Sequence, residues 1–259
     1  TEPPGALRFL RPAALVLSLL GAAPGAAAEA PVGEYLYNDS HFHLTNYVQE
    51  GTDVRDYLGM MGNVVGRSTL FGLPLQQMWQ YGNSGDFAPY YYLQTDAPLY
   101  YYSFTDAAIA MSYRSLTPAQ QARIDPMITG FNPADMYAAD HIRRVLLTFP
   151  GVFSGIGEFS IHKEFVSAKI AGGPATLTDP ALHRILDFAG EAGLIALLHS
   201  DVNMPFPKEG QEPYLVAQMR ELLVKHPETT IIWAHVGVGR IVRPLEGHLQ
   251  MLRRALADP

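Results

Sequence analysis

The strongest constraint in this sequence is a recurring pattern of short apolar runs, each followed by an amphipathic helical stretch. "LIALLHS" (194–200) and "TTIIWAH" (229–235) are apolar on consecutive positions, as a strand must be when both its faces are buried in a parallel sheet. The same reading applies to "GEYLYNDSHFHL" (33–44), "STLFGLPL" (68–75), "DPMITGFNP" (125–133) and "GVFSGIGEFS" (151–160). Helices are expected over 54–65, 105–116, 117–124, 134–148, 179–193, 212–227 and 243–259. The helix from 179 has Asp179 as N-cap, Pro180 at its first position and Gly190 or Gly193 near its end.

Six βα units of this kind build either an open doubly wound sheet or a closed (β/α)8 barrel of the TIM type. Side chains with chemistry decide between them. His41 and His43, Glu158, His199 and His235 each fall where a predicted strand breaks into a loop. An open sheet would spread those ends along a wide edge, whereas a barrel turns them all to one mouth, so the barrel is expected. Six units do not close eight strands, and the chain is read as lacking strands seven and eight. The Tyr-rich insertion at about 76–123, with triplets at Tyr90–Tyr92 and Tyr100–Tyr102, is expected to form a lid or pocket wall.

Composition narrows the chemistry. The chain has 259 residues, 48% hydrophobic and 17% charged, enough for a large folded core. A net charge of −7 with no Lys/Arg cluster excludes broad attraction to nucleic acid. There is no cysteine, so any metal must be held by His, Asp, Glu, a modified Lys or water. Arg8 and Arg11 precede "AALVLSLLGAA" (13–23), and "PGAAAEAP" (24–31) supplies an A-x-A site, so residues 1–28 read as an export signal and 29–259 as the barrel. The protein is therefore expected in the periplasm or secreted, with no stable membrane insertion after cleavage. A homodimer is compatible with this reading.

"NDSHFHL" (38–44) places Asp39, His41 and His43 two apart, on one face of an extended strand. Paired imidazoles there stand close enough to share an ion. Asp39 is expected one layer below the histidines and Asp201 beside His199, each as a hydrogen-bond partner behind the ligands. His162, Lys163 and Arg240 are candidates for contact with a substrate. His141, His183, His226 and His248 read as surface or helix-packing residues.

In order along the chain, "DSHFHL", "GIGEFS", "LLHSD" and "WAHVGVGR" resemble the amidohydrolase superfamily, most closely its amidohydrolase-related group. The resemblance runs from about residue 32 to the end. It implies a metal-dependent (β/α)8 barrel with His41, His43 and His199 as metal ligands. Glu158 would be a further ligand, and His235 a catalytic residue that polarises substrate or binds a second metal. It also implies a divalent ion, zinc first and manganese or another next, and a small-molecule carbonyl substrate. The family's eighth-strand aspartate would lie past Pro259, so this chain alone is expected to be inactive. The reaction implied is hydrolysis of a C–O or C–N bond in a lactone, ester or amide by metal-activated water. Non-oxidative decarboxylation on the same barrel is the alternative, and a non-catalytic periplasmic binding protein is the second. Ring nitrogens of His41, His43 and His199 are expected within about 4 Å of one common point, as shared ligation requires.

Overall fold

The apolar runs form seven short strands: β1 (Tyr37–Asp39), β2 (His43–Thr45), β3 (Val65–Gly72), β4 (Ile124–Ile128), β5 (Gly155–His162), β6 (Ile195–Ser200) and β7 (Ile231–Trp233). Helices α1 (Val54–Met61), α2 (Ser103–Arg114), α3 (Pro118–Gln121), α4 (Ala138–Thr148), α5 (Pro180–Ala192) and α6 (Tyr214–Lys225) alternate with them, and α7 (His248–Ala257) follows β7. The structure is a computed structural model that describes residues 35–46, 50–74, 86, 96–163, 175–203, 213–239, 242–244 and 246–257. The signal segment, Tyr90–Tyr92 and Arg240 lie outside the described residues. No helix among the described residues is long and apolar enough to cross a membrane.

Every strand pairing is parallel, in the order β1, β3, β4, β5, β6, β7, with β2 also paired to β3. Five steps of about 4.8 Å would separate the first and last strands by roughly 24 Å in a flat sheet. Instead, the rings of His41, just after β1, and His235, just after β7, lie 4.4 Å apart. The sheet is therefore curled, a part-barrel with alternating helices and all strand C-termini at one mouth.

The helices cover it through spaced apolar faces. In α1, Val54, Tyr57, Leu58 and Met61 are buried at helical spacing. The Asp53 side chain caps its start by accepting from the Arg55 amide at 2.8 Å. The helix stops at Gly62, whose φ of 49° leaves the helical region, so it is shorter than the expected 54–65 and β3 starts at Val65 rather than 68. α5 begins at Pro180 and ends at a left-handed Gly193, as its sequence signals required, whereas Asp179 occupies the N-cap position with its carboxylate turned to the Thr176 amide and hydroxyl and makes no cap bond.

Three expectations need correction. The first strand is not continuous: residues 40–42 interrupt it, and β1 and β2 pair separately with β3, with shifted register. β5 runs on to His162, so Glu158 sits within the strand rather than at its end. β7 ends at Trp233, which puts His235 in a short 3-10 turn, Ala234–Gly237.

α2 lies inside the stretch read as the Tyr-rich insertion, and it docks through a buried acid. Asp106 is fully buried, and its Oδ1 accepts the Thr129 amide at 2.8 Å and the Gly130 amide at 3.1 Å, just beyond β4. A Cβ on Gly130 would collide with the Asp106 carboxylate and the Tyr102 backbone, so this approach needs glycine. Burial pushes the Asp106 carboxyl up to about 7, against the pull of those amide bonds. A raised carboxyl pKa means that the folded state holds a proton the unfolded chain releases. Its stabilising contribution is full below the unfolded pKa of about 4 and is lost as pH rises through about 7. Asp106→Asn keeps the acceptor and removes the titration. Between pH 5 and 7 the unfolding free energy of the parent, read from urea titrations, is expected to fall relative to Asp106→Asn by on the order of 1 kcal/mol per pH unit. Parallel pH profiles for the two proteins would refute the assignment.

Candidate metal centre

A buried carboxylate organises the mouth. Glu158 has no exposed side-chain surface, yet it meets three imidazoles and an ammonium within 3.2 Å. Its Oε1 lies 2.7 Å from His199 Nδ1 and 2.8 Å from Lys163 Nζ, and its Oε2 lies 3.1 Å from His41 Nε2 and 3.2 Å from His43 Nε2. His235 Nε2 stands at 3.9 Å from Oε1. Rings contributed around β1/β2, β6 and β7 thus converge on one group of β5. His41, His43 and His199 meet at that carboxylate.

Local structure explains the placement. At Gly157 the φ is 114°, and a Cβ would collide with the Leu197 carbonyl of β6, so only glycine lets β5 approach closely enough to turn Glu158 inward. The break at 40–42 is set by Asp39, whose Oδ1 accepts the His41 amide at 2.9 Å. Asp39 thus stands as a hydrogen-bond partner to the backbone of His41, and the Tyr57 hydroxyl on α1 feels its charge. Phe71 of β3 packs edge-on against His41 and His43, with centroids at 5.4 and 4.5 Å. His235 and Val236 have φ of 54° and 50°, a rare conformation for a β-branched residue, and this turn brings the His235 ring back toward His41 and His199.

The electrostatics follow from burial. Desolvation alone would raise the Glu158 carboxyl, but the contacts of His199, His41 and His43 and the charge of Lys163 hold it well below the usual range. Burial pushes the His43 ring down despite its carboxylate partner, and lowers His235 to about 4. Both rings are neutral near pH 7, the state in which imidazole ligates a metal or accepts a proton.

The donor set was tested for fit to a divalent ion. Two ligand atoms about 2.1 Å from one ion stand about 3.0 Å apart at a right angle and about 3.4 Å apart at the tetrahedral angle. His41 Nε2, His43 Nε2 and Glu158 Oε2 form a triangle with edges of 3.0, 3.1 and 3.2 Å. Oε2 is buried and aligned with neither ring for a full hydrogen bond. One cation placed between them would satisfy all three atoms at once. His41, Glu158 and His235 also offer ligand atoms within 4.8 Å of one another. His199 reaches this centre through Nδ1 while its Nε2 lies 3.1 Å from Asp201 Oδ1, so Asp201 stands behind a ring already facing Glu158.

Of the residues singled out for substrate contact, Lys163 turns into the centre against Glu158. His162 closes β5, and the charges it feels are those of Asp201 and Asp179. Sequence reasoning did not find Phe71 or Tyr57, whose types carry no signal apart from core packing. Nor did it find a second histidine cluster. His183 Nδ1 lies 2.7 Å from His226 Nε2, and His226 Nδ1 lies 2.9 Å from Asp187, tying α5 to the end of α6.

No protein-family model matches the sequence, and no curated protein matches it. Among solved structures, a crystal structure of dihydroorotase from Campylobacter jejuni aligns at 15% identity with a TM-score of 0.39, covering 75% of this chain and 46% of that one. The chain thus spans about half the length of that protein.

Replacing the central carboxylate leaves Lys163 and the imidazoles facing a neutral amide. Glu158→Gln is expected to cost about 3–5 kcal/mol in chelator-treated protein at pH 7, read from urea unfolding. A loss below about 1 kcal/mol would mean that the carboxylate does not organise this centre.

Proposed function

We propose that the protein is a metal-dependent hydrolase that cleaves a C–O or C–N bond of a small carbonyl compound, a lactone, ester or amide. The observation that carries this reading is the convergence of histidines from both ends of the curled sheet on one buried carboxylate, with a donor triangle of ion-binding size. His41, His43 and Glu158 hold the ion in this reading, and His199 steadies Glu158 from its Oε1 side through Nδ1, with Asp201 behind it. Zinc suits such a nitrogen and oxygen set, with manganese next. When bound, the ion supplies acidification of a water and polarisation of the carbonyl.

The chain's own residues supply the rest. His235 is the most exposed member of the centre, and its neutral ring is placed to take up or return a proton at Nε2. Lys163 keeps the charge of Glu158 in balance from the Oε1 side, which fixes the carboxylate so that Oε2 faces His41 and His43. Phe71 restricts both rings and screens them from water on one side. Export through residues 1–28 would place this activity in the periplasm or outside the cell.

Metal analysis of the full-length protein is expected to find about one or two divalent ions per chain, lost when His41 and His43 are both replaced by Ala. Loaded protein is expected to turn over members of a panel of lactones, esters and amides. His235→Ala is expected to lower kcat/KM by about 10²–10⁴-fold. Release of CO2 from aryl carboxylates with no hydrolysis would replace this reaction with decarboxylation. Metal binding with no turnover of either class would favour a binding role.

A further inference from the structure

The loop that aims His41 and His43 is gripped from outside the centre by one side chain of α1. Tyr57 is buried, and its ring stacks on Phe42, the residue between the two histidines, with centroids 3.4 Å apart and planes 9° from parallel. Its hydroxyl lies 2.6 Å from Ser68 Oγ on β3 and feels the charge of the Asp39 carboxylate. Asp39 in turn accepts the His41 amide at 2.9 Å. The Phe42 carbonyl accepts the Phe71 amide at 3.2 Å, which ties the same segment to β3. Burial raises the Tyr57 hydroxyl to about 12, so it is a donor throughout the working range. Ser68 Oγ donates to the Thr69 carbonyl at 3.0 Å, so the Tyr57 proton goes to Ser68 Oγ and anchors the phenol to β3.

This chain meets the segment on both sides of His41. The ring, anchored to β3 by its hydroxyl, fixes the residue after it, and the carboxylate of the residue two before it holds its amide. On strand spacing alone the Cα atoms of His41 and His43 stand about 6.6–7 Å apart, and the 3.0 Å separation of their ring nitrogens depends on how the segment between them aims each ring. We propose that Tyr57 is a positioning residue of the metal centre, anchored to Ser68 by its hydroxyl and acting through Phe42 to bring the nitrogens of His41 and His43 to ligand spacing. The inference rests on the metal reading given above and deepens it. Core packing alone would require the ring of Tyr57 but not its hydroxyl.

That distinction supplies the test. Tyr57→Phe keeps the stack on Phe42 and deletes the hydroxyl arm, and Tyr57→Leu removes both. Zinc affinity is measured by competition with a chromophoric chelator, cobalt(II) absorption reports the ligand geometry, and urea unfolding of metal-free protein reports stability. Ile185→Val, in a core site of α5 remote from the loop, serves as a control for lost stability alone. Tyr57→Phe is expected to weaken zinc by about 10- to 100-fold and to alter the cobalt spectrum, with a larger effect in Tyr57→Leu and none in Ile185→Val. Asp39→Asn, which keeps an acceptor for the His41 amide, is expected to retain more affinity than Asp39→Ala. If Tyr57→Phe binds zinc as tightly as the parent with an unchanged cobalt spectrum, the positioning role is wrong while the metal centre stands. Affinity that merely tracks urea midpoints across all variants, the control included, overturns it as well. A parent that binds neither ion overturns the metal reading and this inference together.

Discussion

A carboxylate removed from water needs its surroundings to do what water did, and for Glu158 that requirement shapes the whole mouth of the sheet. Its two oxygens are served differently. Oε1 has short contacts to His199 and Lys163, at 2.7 and 2.8 Å, which is ordinary charge-assisted pairing. Oε2 has only His41 and His43, at 3.1 and 3.2 Å, and these two nitrogens are themselves 3.0 Å apart. The first oxygen is saturated by protein donors, and the second is directed at a position between two imidazoles. An arrangement optimised for stability alone would give Oε2 an N–H aligned on it, since a buried acceptor without one costs about 1–3 kcal/mol.

The curl of the sheet and the centre depend on each other. The donors come from elements that are neighbours in space only if the sheet rolls, because β1 and β7 are its two ends in the pairing order. Glycine at 157 allows β5 and β6 to close up where Glu158 and His199 must meet, and Trp233 Nε1 donates to the Ser200 carbonyl at 2.7 Å, locking β7 to the end of β6. The same end of the sheet holds α2 in place through Asp106, another buried carboxylate served by backbone amides. Two acids with similar burial thus behave oppositely. Cationic and imidazole partners depress Glu158, while Asp106, lacking such partners among its named contacts, is raised.

Much of this was legible in the chain. Consecutive apolar residues ending at a histidine mark β6 and β7, and the capping residues Asp179, Pro180 and Gly193 delimit α5, because these signals are local. His41, His43, Glu158 and His199 were legible as a group only through their shared position at predicted strand ends. What failed to read depends on contacts between distant segments. Asp39 looked like a third inward residue because an alternating pattern assumes an unbroken strand, and the hydrogen bond that breaks it is paid no heed by periodicity. Lys163 read as a candidate for substrate contact because nothing local to "SIHK" announces a carboxylate five residues back on a strand whose register shifts twice. The chain from Asp187 through His226 to His183 spans two helices, and no spacing rule links residues that far apart.

The centre also has a direction, which follows from solvent access. The Glu158 side chain is wholly buried, His199 nearly so, His43 and His41 are slightly open, Lys163 more so, and the His235 side chain reaches 43% exposure. Donors that hold charge in place occupy the dry side, where low dielectric strengthens each contact. The wet side carries the one imidazole set on a backbone of positive φ, in a turn where Val202 donates its amide to the Gly237 carbonyl at 2.8 Å. A conformation that costs about 1–3 kcal/mol per residue persists only where the surroundings enforce it. Here the enforcement puts a neutral ring between solvent and the buried carboxylate. Of the side chains named at the centre, His235 is the one most open to solvent.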